Sequence, residues 1–217
     1  MYLMKNLVLL LVLLVPFAPI YGQTEKLTEA GIQFDLPNVK WALKDKQEQN
    51  NLLVLFYKRE PIADRSGRQV IPNIAFVVET VPDTTDLVVW SMLKRSVKPF
   101  DVKEVFSYNS KNAKLKHKYA IGYKGTYVDK GGIDHTVFVV HLIHKNKGVQ
   151  IFFDNTTELF VKYESEFLKT LASIRNINES PGDRRLTEET IDVQNIKWVG
   201  PNVADADMNS DGEIFLP

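Results

Sequence analysis

Two runs constrain the fold most: Leu52–Lys58 (LLVLFYK) and Thr136–Ile143 (TVFVVHLI). A strand sends alternate side chains to opposite faces, so a strand with one wet face alternates apolar and polar residues. Neither run alternates. Both parities are apolar, which requires the sheet that holds them to be covered on both sides. The expected architecture is therefore layered, with a sheet in the middle. A chain of 217 residues, 44% of them hydrophobic, carries enough apolar material for one such core. There is no cysteine, so no disulfide, thiolate nucleophile, Cys-based zinc site or lipid-modified N-terminal Cys is expected, and packing alone must hold the layers together.

The rest of the chain fits around these strands. Gly31–Pro37 and Lys40–Lys46 read as strands, and Gln49-Asn50-Asn51 as a polar turn before LLVLFYK. Glu60–Gln69, with Pro61 and Gly67, reads as a loop, and Ile74–Thr80 as a strand. A helix follows. Pro82-Asp83-Thr84-Thr85 offers capping oxygens, and Val89, Leu93 and Val97, with Trp90 beside them, form an apolar stripe expected to be buried. Pro99 ends it. Val102–Tyr108 reads as a strand and Asn109–Lys118 as a basic loop. Tyr119–Val128 and His135–His144 form a hairpin through Lys130-Gly131-Gly132, and Asn146-Lys147-Gly148 turns into Val149–Phe153. The last helix is expected to be capped by Asn155, with Glu158 three residues on. Its buried stripe is Leu159, Phe160, Tyr163, Phe167, Leu171 and Ile174.

The segments GIQFDLPNVKWAL, IPNIAFVVE, HTVFVVHLIHKNKGVQIFFDNT and FLKTLASIR resemble the PsbP-like fold. That superfamily includes the photosystem extrinsic PsbP subunit, a Ran-binding transport factor and DcrB-like bacterial envelope proteins. The resemblance covers most of residues 28–177. It implies an α+β domain, an αβα sandwich with an antiparallel sheet, and a non-enzymatic binding or assembly role. No functional residue is carried across by it.

The ends of the chain read differently. Lys5, the apolar run Leu7–Val15, Pro16, Pro19 and the small Gly22 form a signal-peptide pattern, with an apolar run too short to span a bilayer. The expected organisation is a signal peptide at 1–22, the α+β domain at 23–177 and an acidic tail at 178–217. The mature protein is expected to be secreted or periplasmic, with no stable membrane insertion after cleavage. The formal net charge of zero gives no pull toward nucleic acid. It conceals an asymmetry: residues 23–177 hold 23 Lys+Arg and 18 Asp+Glu, whereas 178–217 hold three basic and nine acidic residues. The tail either is solvated or folds back on the basic body. Pro181-Gly182 breaks the chain, and Ile191–Val199 is apolar enough to dock.

Few residues suggest chemistry. His141 and His144 lie three apart in one strand, on opposite faces, and cannot share a metal. His135 shares a face with His141, but no further ligand is indicated. No Gly-x-Ser-x-Gly, P-loop or Gly-x-Gly-x-x-Gly is present. Lys111, Lys114, Lys116 and Lys118 make a basic cluster that would suit an anion such as a phosphate, or an acidic partner; a solvated loop is the competing reading. Asn155-Thr-Thr and Asn178-Glu-Ser match the glycosylation sequon. Asp207, Asn209 and Asp211 match positions one, three and five of an EF-hand-type calcium loop, with Gly212 at six, the Glu213 carbonyl at seven and Ile214 at eight. Pro217 is the eleventh position, so the bidentate acid at twelve is missing from the sequence. The expectation is either a weak Ca2+ site, with Kd on the order of 10⁻⁴ to 10⁻³ M, or a run of acidic turn residues. The functional expectation is a secreted, non-catalytic binding or assembly module for a protein or surface partner. The alternative is a secreted hydrolase with an unrecognised carboxylate site.

Overall fold

A computed structural model describes residues 22–97, 100–107, 115, 117 and 119–178. In chain order the elements are β1 (Thr24–Leu27), β2 (Ile32–Asp35), β3 (Ala42–Gln49), β4 (Leu52–Lys58), β5 (Ile62–Ala63), β6 (Gln69–Val70), β7 (Asn73–Thr80), α1 (Leu87–Val97), β8 (Asp101–Ser107), β9 (Ala120–Val128), β10 (Asp134–His144), β11 (Lys147–Thr156), α2 (Thr157–Ser173) and β12 (Arg175–Asn176).

Seven strands form the main sheet in the order β3-β4-β7-β11-β10-β9-β8, every neighbouring pair antiparallel. The fold class is α+β. Asn50 and Asn51 both have positive φ (51° and 65°) between the paired Gln49 and Leu52. Two left-handed residues in a two-residue loop match the twist of the strands they join, and Asn tolerates that conformation. The edge strand β3 is largely exposed and charged, which discourages pairing with another sheet.

The doubly apolar runs are buried for the expected reason. On β10, Phe138, Val140 and Leu142 join a large core with Phe160, Phe167 and Leu171 of α2 and Ile32 and Phe34 of β2. Val137 and Val139 point the other way, into a smaller core with Leu87 and Trp90 of α1 and Ile121 and Tyr123 of β9. Thus α1 covers one face, while α2 and a small sheet cover the other. Aromatic rings knit the large core: Phe34 stacks on Phe76 at 4.3 Å, and Phe160 lies 5.2 Å from Phe138 and 5.5 Å from Phe167.

Several local expectations need correction. The strand expected at Gly31–Pro37 is present as β2, and it pairs with β1 and β12 in a separate three-stranded sheet. The Glu60–Gln69 loop contains the small β5–β6 hairpin, stapled by Asp64, whose carboxylate accepts from the Ser66 and Arg68 backbone N–H groups and from the Arg68 guanidinium. Asn155 does not cap α2. The N-cap position is Thr156, without a side-chain cap bond, and Asn155 is 2% exposed in β11, its Oδ1 accepting from the Thr156 N–H. A sequon asparagine sealed in this way has no room for a glycan.

The largest departure concerns α1. The expected buried stripe Val89, Leu93 and Val97 faces outward, 56%, 62% and 71% exposed. The helix buries Leu87, Trp90 and Ser91 instead. The sheet decides this. Trp90 sits over Gly148, where a Cβ would fall 2.5 Å from the indole Cζ2, and its Nε1 donates to Glu79 Oε1 at 3.0 Å. Asp86 caps the helix, Oδ1 accepting from the Val89 N–H at 2.9 Å.

Candidate functional site

Both residue sets singled out in the sequence lie outside the described residues: the basic cluster Lys111, Lys114, Lys116 and Lys118, and the calcium-loop residues Asp207, Asn209, Asp211 and Glu213. So does the signal-peptide pattern up to Tyr21. Among the described residues, no group of three or more His, Asp or Glu side chains is arranged to hold a metal ion. No helix among them is long and apolar enough to cross a membrane.

The chemistry-bearing contacts described among these residues form three clusters, two of them built on β9, β10 and β11. The first lies beneath α1. Ser91 Oγ is 2.7 Å from His141 Nδ1 and 2.6 Å from the Tyr123 hydroxyl. A serine within reach of an imidazole is the start of a nucleophile–base pair. Here the pair is sealed: Ser91 and Tyr123 are 0% exposed and His141 1%. Burial, and then the charges of Lys94 and Arg95, push the His141 pKa down to about 3, so the ring is neutral in the fold. Its Nε2 is buried without a hydrogen-bond partner among the described residues. No carbonyl carbon can be brought to Ser91 without removing the helix that carries it. The trio satisfies a polar patch in an otherwise apolar layer.

The second cluster is half-buried, at the other end of β10. His135 Nδ1 lies 3.0 Å from Asp154 Oδ1, and Nε2 lies 3.5 Å from Asp129 Oδ2. Tyr127 stacks on the imidazole at 4.9 Å and donates its hydroxyl to Asp154 Oδ2 at 2.6 Å. Hairpin registers bring these residues together: Tyr127 pairs with His135, and Asp154 sits diagonally across β11. Burial pulls the His135 pKa down, but the Asp154 hydrogen bond and the two carboxylate charges outweigh it, and the net shift is upward. The arrangement clamps the imidazole between two acids, which favours its protonated form, and ties the β9–β10 turn to β11. Both ring nitrogens are engaged.

A third cluster seats Arg59 against Tyr163 (4.5 Å to the ring centroid) and Trp41 (5.9 Å), with NH1 donating to Glu166 Oε2 at 3.3 Å. An aromatic seat for a cation exists here, and the protein's own arginine fills it.

Among the described residues, the outer face of α1 is an apolar surface left open to a partner. Val89, Leu93 and Val97 are spaced i, i+4 and i+8, so they form one continuous line. Lys94 and Arg95 turn toward the sheet instead: Lys94 Nζ donates to Glu79 Oε2 at 2.8 Å, and the Arg95 guanidinium lies 5.9 Å from the Tyr123 ring centroid. Sequence periodicity found this stripe and misassigned its direction. The Ser91 trio and the His135 clamp were missed. Hairpin register was the signal available for the clamp, because the turns at Gly132 and Asn146 fix which residues face one another.

Comparison with solved structures returns distant likenesses. The chain is similar to a crystal structure from Bacteroides thetaiotaomicron at 10% identity and a TM-score of 0.45, over 73% of this chain and 49% of that one. It spans about half the length of that protein. It is similar to cyanobacterial PsbP from Synechocystis at 10% identity and a TM-score of 0.47, over 74% of this chain and 95% of that one. A protein of unknown function from Pseudomonas aeruginosa follows at 13% identity and a TM-score of 0.40, over 69% of this chain and 93% of that one. No family model and no curated protein sequence matches the chain.

Proposed function

We infer that the chain is an exported, non-catalytic binding or assembly module that engages its partner through the outer face of α1. The observation that carries this reading is the uncovered line Val89–Leu93–Val97 on a helix whose opposite side is fully packed. Three such side chains together expose on the order of 300 Å², the scale at which an apolar patch on a monomer is commonly functional. The sealed Ser91–His141 contact supports the non-catalytic part, because it serves packing rather than substrate. Export rests on the Lys5–Gly22 pattern.

The test is affinity capture from the native envelope or secretion fraction with the wild type and Leu93→Asp. The reading expects partner bands that disappear with the variant. Identical captures would overturn it. The hydrolase alternative has its footing at Asp129, His135 and Asp154, the one half-exposed cluster of titratable side chains described above. It would require a hydrolytic activity that Asp154→Asn abolishes while the variant stays folded.

A further inference from the structure

The outer face of α1 has a candidate occupant within the same chain. We propose that Ile191–Val199, in the acidic segment after the domain, docks on Val89, Leu93 and Val97, so that an external partner must displace it. The proposal rests on the reading of that face as the binding surface.

Four observations lead to it. The first is where the domain ends. Ile177 donates its N–H to the Gly31 carbonyl at 3.0 Å, and a Cβ on Gly31 would lie 3.0 Å from His144 Cδ2. The chain therefore leaves beside the β10–β11 turn. That same turn carries Gly148, on whose other side Trp90 of α1 sits, and its Asn146 carbonyl accepts from the Val81 N–H just before α1. The exit and the start of the exposed line are at one end of the sheet, separated by the sheet itself, a layer spacing of about 10 Å.

The second is reach. Between Asn178 and Ile191 the chain can extend roughly 40 Å, and a flexible linker of that length spans about 20 Å on average. Either distance rounds the turn. The third is composition. Ile191, Val193, Ile196, Trp198 and Val199 are the apolar residues of a short segment whose only charged side chains are Asp192 and Lys197. Residues 178–217 carry nine acidic and three basic residues, and residues 23–177 carry 23 basic and 18 acidic. The opposite net charges of the two parts favour contact between them. The fourth is size. A stable complex between separate molecules buries about 800 Å² per partner, more than twice what the line offers. A tethered segment needs less, because the linker supplies an effective concentration in the millimolar range. That arithmetic favours the chain's own segment over a second copy.

The test is amide hydrogen exchange on the full chain, with solution mass measured by light scattering, for the wild type, Leu93→Asp and Trp198→Ala. Leu93 is 62% exposed, so its replacement leaves the domain packed, and Trp198 comes after the last strand in the sequence. The proposal expects residues 191–199 of the wild type to exchange on the order of tenfold slower than an unstructured peptide. It expects both substitutions to remove that protection, and the protection to be independent of protein concentration at monomeric mass. Coil-like exchange in the wild type would overturn it. So would protection that survives Leu93→Asp, or protection that appears together with a dimer. The two readings fail separately. Free exchange of 191–199 with Leu93-dependent partner capture removes the tail and leaves the binding face. Leu93-dependent protection with unaltered capture removes the external partner and leaves the tail.

Discussion

Acidification should loosen the α1 side of the sheet through His141. The ring is buried with its Nδ1 held by Ser91 and its Nε2 unpartnered among the described residues. Its folded pKa is about 3 against an ordinary 6.5. A depressed pKa means that the folded state prefers the neutral ring. The associated stability is fully present above about pH 6.5 and is lost as the pH falls toward the folded value, because the unfolded chain takes up the proton first. Inside that window each pH unit costs about 1.4 kcal/mol. Across the whole window the loss is on the order of 3 to 5 kcal/mol, a large part of the stability of an ordinary domain. Other groups also titrate in acid, so the assay compares slopes. Urea unfolding of the wild type and His141→Asn is followed between about pH 4 and pH 8. Asn keeps an amide near Ser91 and carries no proton to gain. The variant should be the weaker protein at neutral pH, with a cavity where the ring stood. Its disadvantage should then shrink by about 1.4 kcal/mol for each pH unit below 6. Parallel stability profiles for the two proteins would refute the buried, neutral ring.

The His135 clamp should behave in the opposite sense. Its folded pKa is raised, so its contribution is complete below about pH 6.5 and is lost as the pH rises through the folded value. His135→Gln should remove that alkaline decline in the melting temperature, and a decline that persists unchanged would contradict the clamp. Gly148→Ala would push a methyl group into the Trp90 ring and should cost about 1 to 3 kcal/mol in denaturant unfolding; a neutral result would mean that α1 does not sit where Trp90 places it. Asp64→Ala removes the acceptor of the β5–β6 staple and should open residues 62–70 to limited proteolysis, with the main sheet intact; an unchanged cleavage pattern would count against the staple.

Much of the layered fold was legible because burial on both faces leaves its mark on every residue of a strand. LLVLFYK and TVFVVHLI could only be central, and the turns at Asn50-Asn51 and Gly132 announced their hairpins. The direction of α1 was not legible. Two stripes compete on that helix: Val89–Leu93–Val97 is the more apolar, and Leu87–Trp90–Ser91–Lys94 is the one that faces in. The choice belongs to the sheet beneath. Tyr123 and His141 present polar atoms there, which Ser91 satisfies, and Gly148 leaves the gap that Trp90 fills. A helix read alone carries none of that information. The small β1-β2-β12 sheet escaped for a related reason. Its strands are two to four residues long, and its third strand, β12, comes from the far end of the domain. Arg175 of that strand donates to Asp35 Oδ1 at 3.1 Å.

Site-specific photocrosslinking tests the central claim most directly. A photoreactive residue replaces Leu93 in the full-length chain, expressed in its native host. A matched control replaces Val161, an apolar residue of α2 that is 74% exposed with no apolar line around it. The account predicts adducts of higher mass at position 93 that are absent at 161. Their yield should rise when residues after Asn178 are removed and the competing segment is gone. No adduct at position 93 beyond the Val161 background, in either form of the chain, would contradict the assignment of the α1 face as the functional surface.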